Sequence, residues 1–129
     1  MSAYIDFPHG LTYTHTMSMN AMPSASLQQI LQELRVGLIQ LYGSRLKSLV
    51  LFGSYARGQA DEGSDIDVAL ILDDFAFAST EIERCIEFVA ALSLQYDCVI
   101  SIIPIRERDW LIRQTPFLMN VRREAIPVS

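Results

Sequence analysis

The sequence has no long apolar run. The two longest, Val68 to Leu72 and Phe88 to Leu92, are five residues each, against the ~20 that a helix needs to span a bilayer. That excludes a helical membrane span. Cysteine is nearly missing as well. Cys85 and Cys98 are too few for a disulfide framework or a zinc site, and inside apolar patterns they read as reduced core thiols. His9 and His15 have no partner ligands around them, so they carry no metal-site reading. Basic charge is also scarce: ten Lys and Arg stand against fifteen Asp and Glu, a net charge of −5. Direct binding to nucleic acid, which depends on cations meeting phosphates, is therefore disfavoured. The opening, "MSAYIDFPHGLTYTHTMSMNAM", lacks a basic leader followed by an apolar segment and does not read as a secretory signal. The expected location is the cytoplasm.

What remains is ordinary for a globular protein. The 129 residues, 50% hydrophobic and 19% charged, suit one domain with a real core. Residues 1–23 lack periodicity and carry Met17, Met19 and Met22. They read as an N-terminal arm, flexible or lying ahead of a true start at one of those methionines; the folded domain is expected over 24–129. Charge is uneven. Six acids (Asp61, Glu62, Asp65, Asp67, Asp73 and Asp74) lie together without a base, whereas Arg106, Arg108, Arg113, Arg122 and Arg123 cluster near the end. Such a division either holds a metal beside an anionic ligand or marks two solvated faces.

From Ser24 to Tyr42, Leu27, Ile30, Leu31, Leu34, Leu38 and Leu41 recur at helical spacing. Ser24 or Ser26 can cap this helix and Gly43 can end it. "LKSLVLF", 46–52, and "SDIDVALIL", between Gly63 and Asp73, read as strands. Thr80 with Glu83 forms a capping-box pattern opening a helix to Gln95, with Ile82, Ile86, Val89, Ala90 and Leu94 on one side. "YDCVISIIPI" is a third strand stopped by Pro104, residues 107–113 suit a short helix, and Thr115-Pro116 opens a last one. The order predicts an α/β (α+β) domain with a small mixed β-sheet flanked by helices.

Two features break this pattern. Asp65 and Asp67 sit two apart at a strand, so they share a face, each residue advancing the chain by about 3.3 Å. Ile66, Val68, Leu70 and Leu72 then face the core. Carboxylates so close repel, and one takes a proton unless a cation intervenes; magnesium prefers such oxygen ligands. Upstream, Gly53 and Ser54 follow a strand, and "SYARG" can start a short helix. A helix start after glycine offers free N–H groups to a phosphate, Ser54 adds a hydroxyl, and Arg57 can reach the phosphate or pair with a nearby acid. Taken singly, each feature is common: a D-x-D also marks solvated junctions, and Gly-Ser marks turns. Together they suit metal-assisted phosphoryl or nucleotidyl transfer.

Gly53-Ser54, ten residues, then Asp65-Ile66-Asp67 resembles the G-S-x(10)-D-x-D signature of the DNA polymerase β-like nucleotidyltransferase superfamily. "GSYARGQADEGSDIDVALIL" is similar to its minimal nucleotidyltransferase members. The resemblance implies the polymerase β-like fold. It implies that Gly53 and Ser54 bind the triphosphate of ATP, and that Asp65 and Asp67 hold two Mg2+ ions. It also implies a third carboxylate on a neighbouring strand, for which Asp97 is the candidate. Relatives often carry Glu-Gly where this chain has Glu124-Ala125. Minimal nucleotidyltransferases act as antitoxins, transferring AMP to a tyrosine hydroxyl of a partner HEPN-domain ribonuclease toxin. The alternatives are an antitoxin that blocks its partner by binding alone, and an enzyme acting on a small molecule.

Overall fold

The computed structural model describes residues 22–129. The expected arm over 1–23 lies outside the described residues up to residue 21. Met22 packs against the core, and Pro23 is the N-cap of the first helix.

Helix α1, Ser24–Tyr42, buries Leu27, Ile30, Leu31, Leu34 and Leu38. Leu41, expected on that face, is exposed, and Tyr42 is buried instead. Neither Ser24 nor Ser26 caps the helix; Gly43 ends it at a φ of 55°. A 3-10 turn, Gly43–Arg45, leads into β1, Leu46–Phe52, which runs directly into a short helix α2, Gly53–Arg57. Strand β2, Ile66–Leu72, is followed by helix α3, Ala78–Tyr96, and strand β3, Ile100–Arg106. Helices α4, Glu107–Ile112, and α5, Pro116–Glu124, and a two-residue strand β4, Ile126–Pro127, complete the chain. At the start of α5 Thr115 caps as expected, accepting from the Leu118 N–H.

The strands lie in the order β3-β2-β1-β4. Strand β1 is antiparallel to β2 and β4, whereas β2 and β3 are parallel. Both faces of the sheet are covered. On one, Leu51, Val68 and Leu70 meet α1 and the Cys85, Val89 and Leu92 side of α3. On the other, Val50, Ala69 and Ile71 meet Leu118 and Val121 of α5. Two-sided burial explains why β2 reads as an unbroken apolar run. No helix of the described residues is long and apolar enough to cross a membrane.

Two expectations are corrected. Helix α3 starts at Ala78 with no side-chain cap, so Thr80 and Glu83 form no capping box. Its inward face is Glu81, Cys85, Val89 and Leu92, leaving Ile82, Ile86 and Leu94 exposed. The reason is Glu81. It is buried between Arg45 (3.7 Å) and Arg84 (3.3 Å), and this paired carboxylate occupies the inward face. Strand β3 starts later than expected and runs through Pro104, which lies in register with Leu70. The Ile66 N–H donates to the Val99 carbonyl, so odd-numbered residues of β3 turn their backbone toward β2. The Pro104 nitrogen faces the open edge, where no ladder bond is lost.

Leu70 is fully buried at the centre of the strand that carries Asp67. Leu70→Ala is expected to cost about 2–5 kcal/mol, read as a lower midpoint in urea unfolding. A loss under about 1 kcal/mol would contradict the packing described, given what filled core sites lose on truncation.

Candidate active site

In the antiparallel register of β1 and β2, Phe52 lies opposite Asp67. The next residue, Gly53, therefore arrives beside the Asp67 carboxylate. Gly53 has a φ of 77°, and a Cβ built there would overlap Asp67 Oδ2 and lie 3.1 Å from its Cγ. Glycine is required twice over, for the left-handed backbone and for the close approach. The turn of 53–54 and the Asp67 carboxylate are thus neighbours.

Asp65 immediately precedes β2 and is exposed, whereas Asp67, inside the strand, is half-buried. The loop before Asp65 is ordered by its own side chains. Asp61 Oδ1 accepts from the Gly63 N–H at 3.0 Å, and Ser64 Oγ accepts from the Asp61 N–H at 2.9 Å. The Ile66 N–H, donating to the Val99 carbonyl at 2.8 Å, then locks the strand start beside β3.

Burial pushes the Asp67 carboxyl above its usual range, and the Asp65 charge pushes it further; Arg57 opposes both, and Glu124 adds to the rise. The cluster therefore holds three acids and one arginine. Arg57 is committed elsewhere. Its Nε donates to Gln59 Oε1 at 3.1 Å and its Nη1 to Glu124 Oε2 at 2.9 Å. Of the two roles open to it in the sequence, pairing with an acid is the one realised. Asp65 and Asp67 are hard oxygen donors with more negative charge than the residues around them offset, which is the donor set a magnesium ion takes.

Asp97 does not open the third strand. It closes α3 in the left-handed conformation, at a φ of 51°, three residues before β3 begins. Aspartate tolerates that conformation better than most residues. Asp97 lines a cavity of about 600 Å³ together with Asp65, Tyr55, Tyr96, Cys98 and Val99. The residue in register with Asp67 on the neighbouring strand is Ser101. Among the described residues no group of three or more His, Cys, Asp or Glu could hold a metal ion.

Glu124 is the residue whose part the sequence did not disclose. Its Oε1 accepts from the Gly53 N–H at 2.9 Å, from 71 residues away. Besides the Glu-Gly that relatives carry at this position, the signal was local. An acid in the last turn of a helix, after Arg122 and Arg123, sits against the negative end of the helix dipole, which calls for an outside partner. Nothing singled out Ser101.

Two predictions follow from this geometry. Gly53→Ala is expected to lose about 1–3 kcal/mol of stability from the forced left-handed backbone alone, measured by thermal unfolding; an unchanged protein would contradict the close approach to Asp67. A carboxyl raised on folding favours the fold in acid and opposes it once pH passes the folded value. Asp67→Asn should therefore melt above wild type at pH 7 in metal-free buffer, and the two should converge below the ordinary aspartate value of 3.8. A wild type that outlasts the variant at pH 7 contradicts the strain.

The nucleotidyltransferase domain family matches residues 26–118. A protein of Methanocaldococcus jannaschii named "Putative protein adenylyltransferase" is 35% identical over 73 residues, 57% of this chain and 73% of its own length. A second of that name and organism is 34% identical over 76 residues, 59% of this chain and 70% of its own. Among solved structures, a toxin-antitoxin with AMP-PNP superposes with a TM-score of 0.56 at 20% identity, over 77% of this chain and 72% of that one. A variant of the toxin-antitoxin MntA-HpeT superposes with a TM-score of 0.52 at 21% identity, over 76% and 71%. At such identities the two structures speak for the fold.

Proposed function

The chain belongs to the nucleotidyltransferase domain family and is a nucleotidyltransferase, and from that premise we propose that it is an antitoxin that transfers AMP from ATP to a tyrosine hydroxyl of a HEPN-domain ribonuclease toxin. The observation that carries this reading is the contact between Gly53 and Asp67. It puts the Gly53-Ser54 turn beside the Asp67 carboxylate, which supports a site for transfer at phosphorus. A protein acceptor is supported by the relatives named for protein adenylylation and by the toxin-antitoxin neighbours, one carrying AMP-PNP. The net charge of −5 weighs against a nucleic-acid acceptor. The HEPN fold of the toxin and its tyrosine come from the resemblance to minimal nucleotidyltransferases. Residues 24–129 form the catalytic domain, working in the cytoplasm, where ATP is plentiful and the two free thiols stay reduced.

Each residue then has a role. Gly53 lets the backbone come close to the triphosphate, and Ser54 offers its hydroxyl and N–H at the start of α2. Asp65 and Asp67 would hold Mg2+. Bound there, magnesium would offset charge on the triphosphate and the departing pyrophosphate and acidify the acceptor hydroxyl. The acceptor oxygen attacks the α-phosphorus; a new P–O bond forms as the bond to the bridging oxygen of pyrophosphate breaks. Asp97, lining the cavity beside Asp65, takes the hydroxyl proton. Arg57, through its pair with Glu124, holds α2.

The test is to mix the chain with its toxin, ATP and magnesium and to weigh the toxin. A gain of AMP units is expected. Asp65→Ala and Asp67→Ala should abolish the gain with the circular dichroism spectrum unchanged. Asp97→Ala should slow it about a hundredfold, as loss of a proton acceptor does. Toxin neutralised with no change in mass would instead mark an antitoxin that works by binding alone. Transfer surviving in Asp65→Ala or Asp67→Ala would overturn the assigned roles.

A further inference from the structure

We propose that Glu124 is the positioning residue of the triphosphate turn, holding α2 at both ends from the far end of the chain. The proposal rests on the reading that Gly53 and Ser54 receive the triphosphate.

Helix α2 has only five residues, too few to be stable unaided. Its first N–H, that of Gly53, donates to Glu124 Oε1 at 2.9 Å, and the side chain of its last residue, Arg57, donates through Nη1 to Glu124 Oε2 at 2.9 Å. One carboxylate thus ties the start of the helix to its end. Glu124 is itself anchored. Strand β4 begins two residues later and pairs with β1 through Leu51 with Ile126 and Val50 with Pro127. The Val128 N–H donates to the Leu49 carbonyl at 2.8 Å, and Leu118 and Val121 of the same helix are buried. The strand that fixes Glu124 is the strand that runs into Gly53, so the distance from carboxylate to turn is set by sheet register.

The alternative role, charge compensation, does not fit. Glu124 adds to the negative charge around Asp67. As the last residue of α5, it also opposes the dipole of its own helix. What offsets these costs is the N-terminal end of α2 and the Arg57 guanidinium, a charge-assisted pair with side chains 42% and 21% exposed.

The experiment measures AMP-PNP binding with magnesium by calorimetry on the full chain. Wild type should bind. Glu124→Ala should bind about tenfold more weakly, the loss expected for a charged hydrogen bond. Glu124→Gln, which keeps an oxygen for the Gly53 N–H but turns an amide donor toward Arg57, should regain part of that affinity. Adding Arg57→Ala to Glu124→Ala should cost nothing further, because both act through one brace. If Glu124→Ala does not fold, Glu124→Met replaces it, of similar size and without the acceptor. Affinity equal to wild type in Glu124→Ala overturns the proposal. So does tighter binding, which would make the carboxylate a competitor of the triphosphate, and so does a Gln variant as weak as Ala. A wild type that does not bind AMP-PNP is a different result: it removes the triphosphate reading, and the positioning role with it.

Discussion

Phe52 at the end of β1 pairs with Asp67 near the start of β2, and this register brings Gly53 against the Asp67 carboxylate. Two segments separated in sequence by a loop become neighbours because they meet at the same end of one antiparallel ladder. Moving the pairing by one residue would turn Asp67 to the other face of the sheet and send Ile66 toward the turn. Such a slip is opposed by two-sided burial. Ile66, Val68 and Leu70 fill one core and Ala69 and Ile71 the other. The apolar side chains of β2 thus do more than stabilise the domain: they hold a carboxylate against a glycine to within an atom's width.

The same register concentrates charge. Asp65, Asp67 and Glu124 bear on one partly buried site, and among the described residues Arg57 is the cation that opposes them at Asp67. A fold chosen for stability alone would place an amide or a hydroxyl at such a position. Holding like charges close in the free protein pushes the Asp67 carboxyl up, and acids perturbed by burial and a like charge are common at functional sites. The contrast with Glu81 is instructive. That carboxylate is more deeply buried, but Arg45 and Arg84 flank it, and its surroundings are balanced. The two buried acidic environments have opposite logic, one closed and one left open.

Much of this was legible in the residues. Element order, the mixed sheet and the nearness of Gly53 to Asp67 follow from apolar runs, from glycine, and from carboxylates where a strand should carry none. Helix α3 was misjudged because a paired Glu81 stands on the inward face, and pairing across elements leaves no periodic trace. Asp97 was expected to begin a strand. An aspartate between helical and extended sequence can serve either, and here the left-handed helix end took it. Glu124 lay beyond reach for a simpler reason: a carboxylate meeting a backbone N–H 71 residues away depends on β4 register, and two residues of strand make no pattern.

Strand β3 forms one rim of the sheet, and a bare rim invites another chain to add itself there. The imide nitrogen of Pro104 points outward from that rim and has no hydrogen to give. A chain pairing along β3 would find the row of donors interrupted midway, at Pro104. Proline on an edge strand is one of the ways a sheet's open rim is blunted.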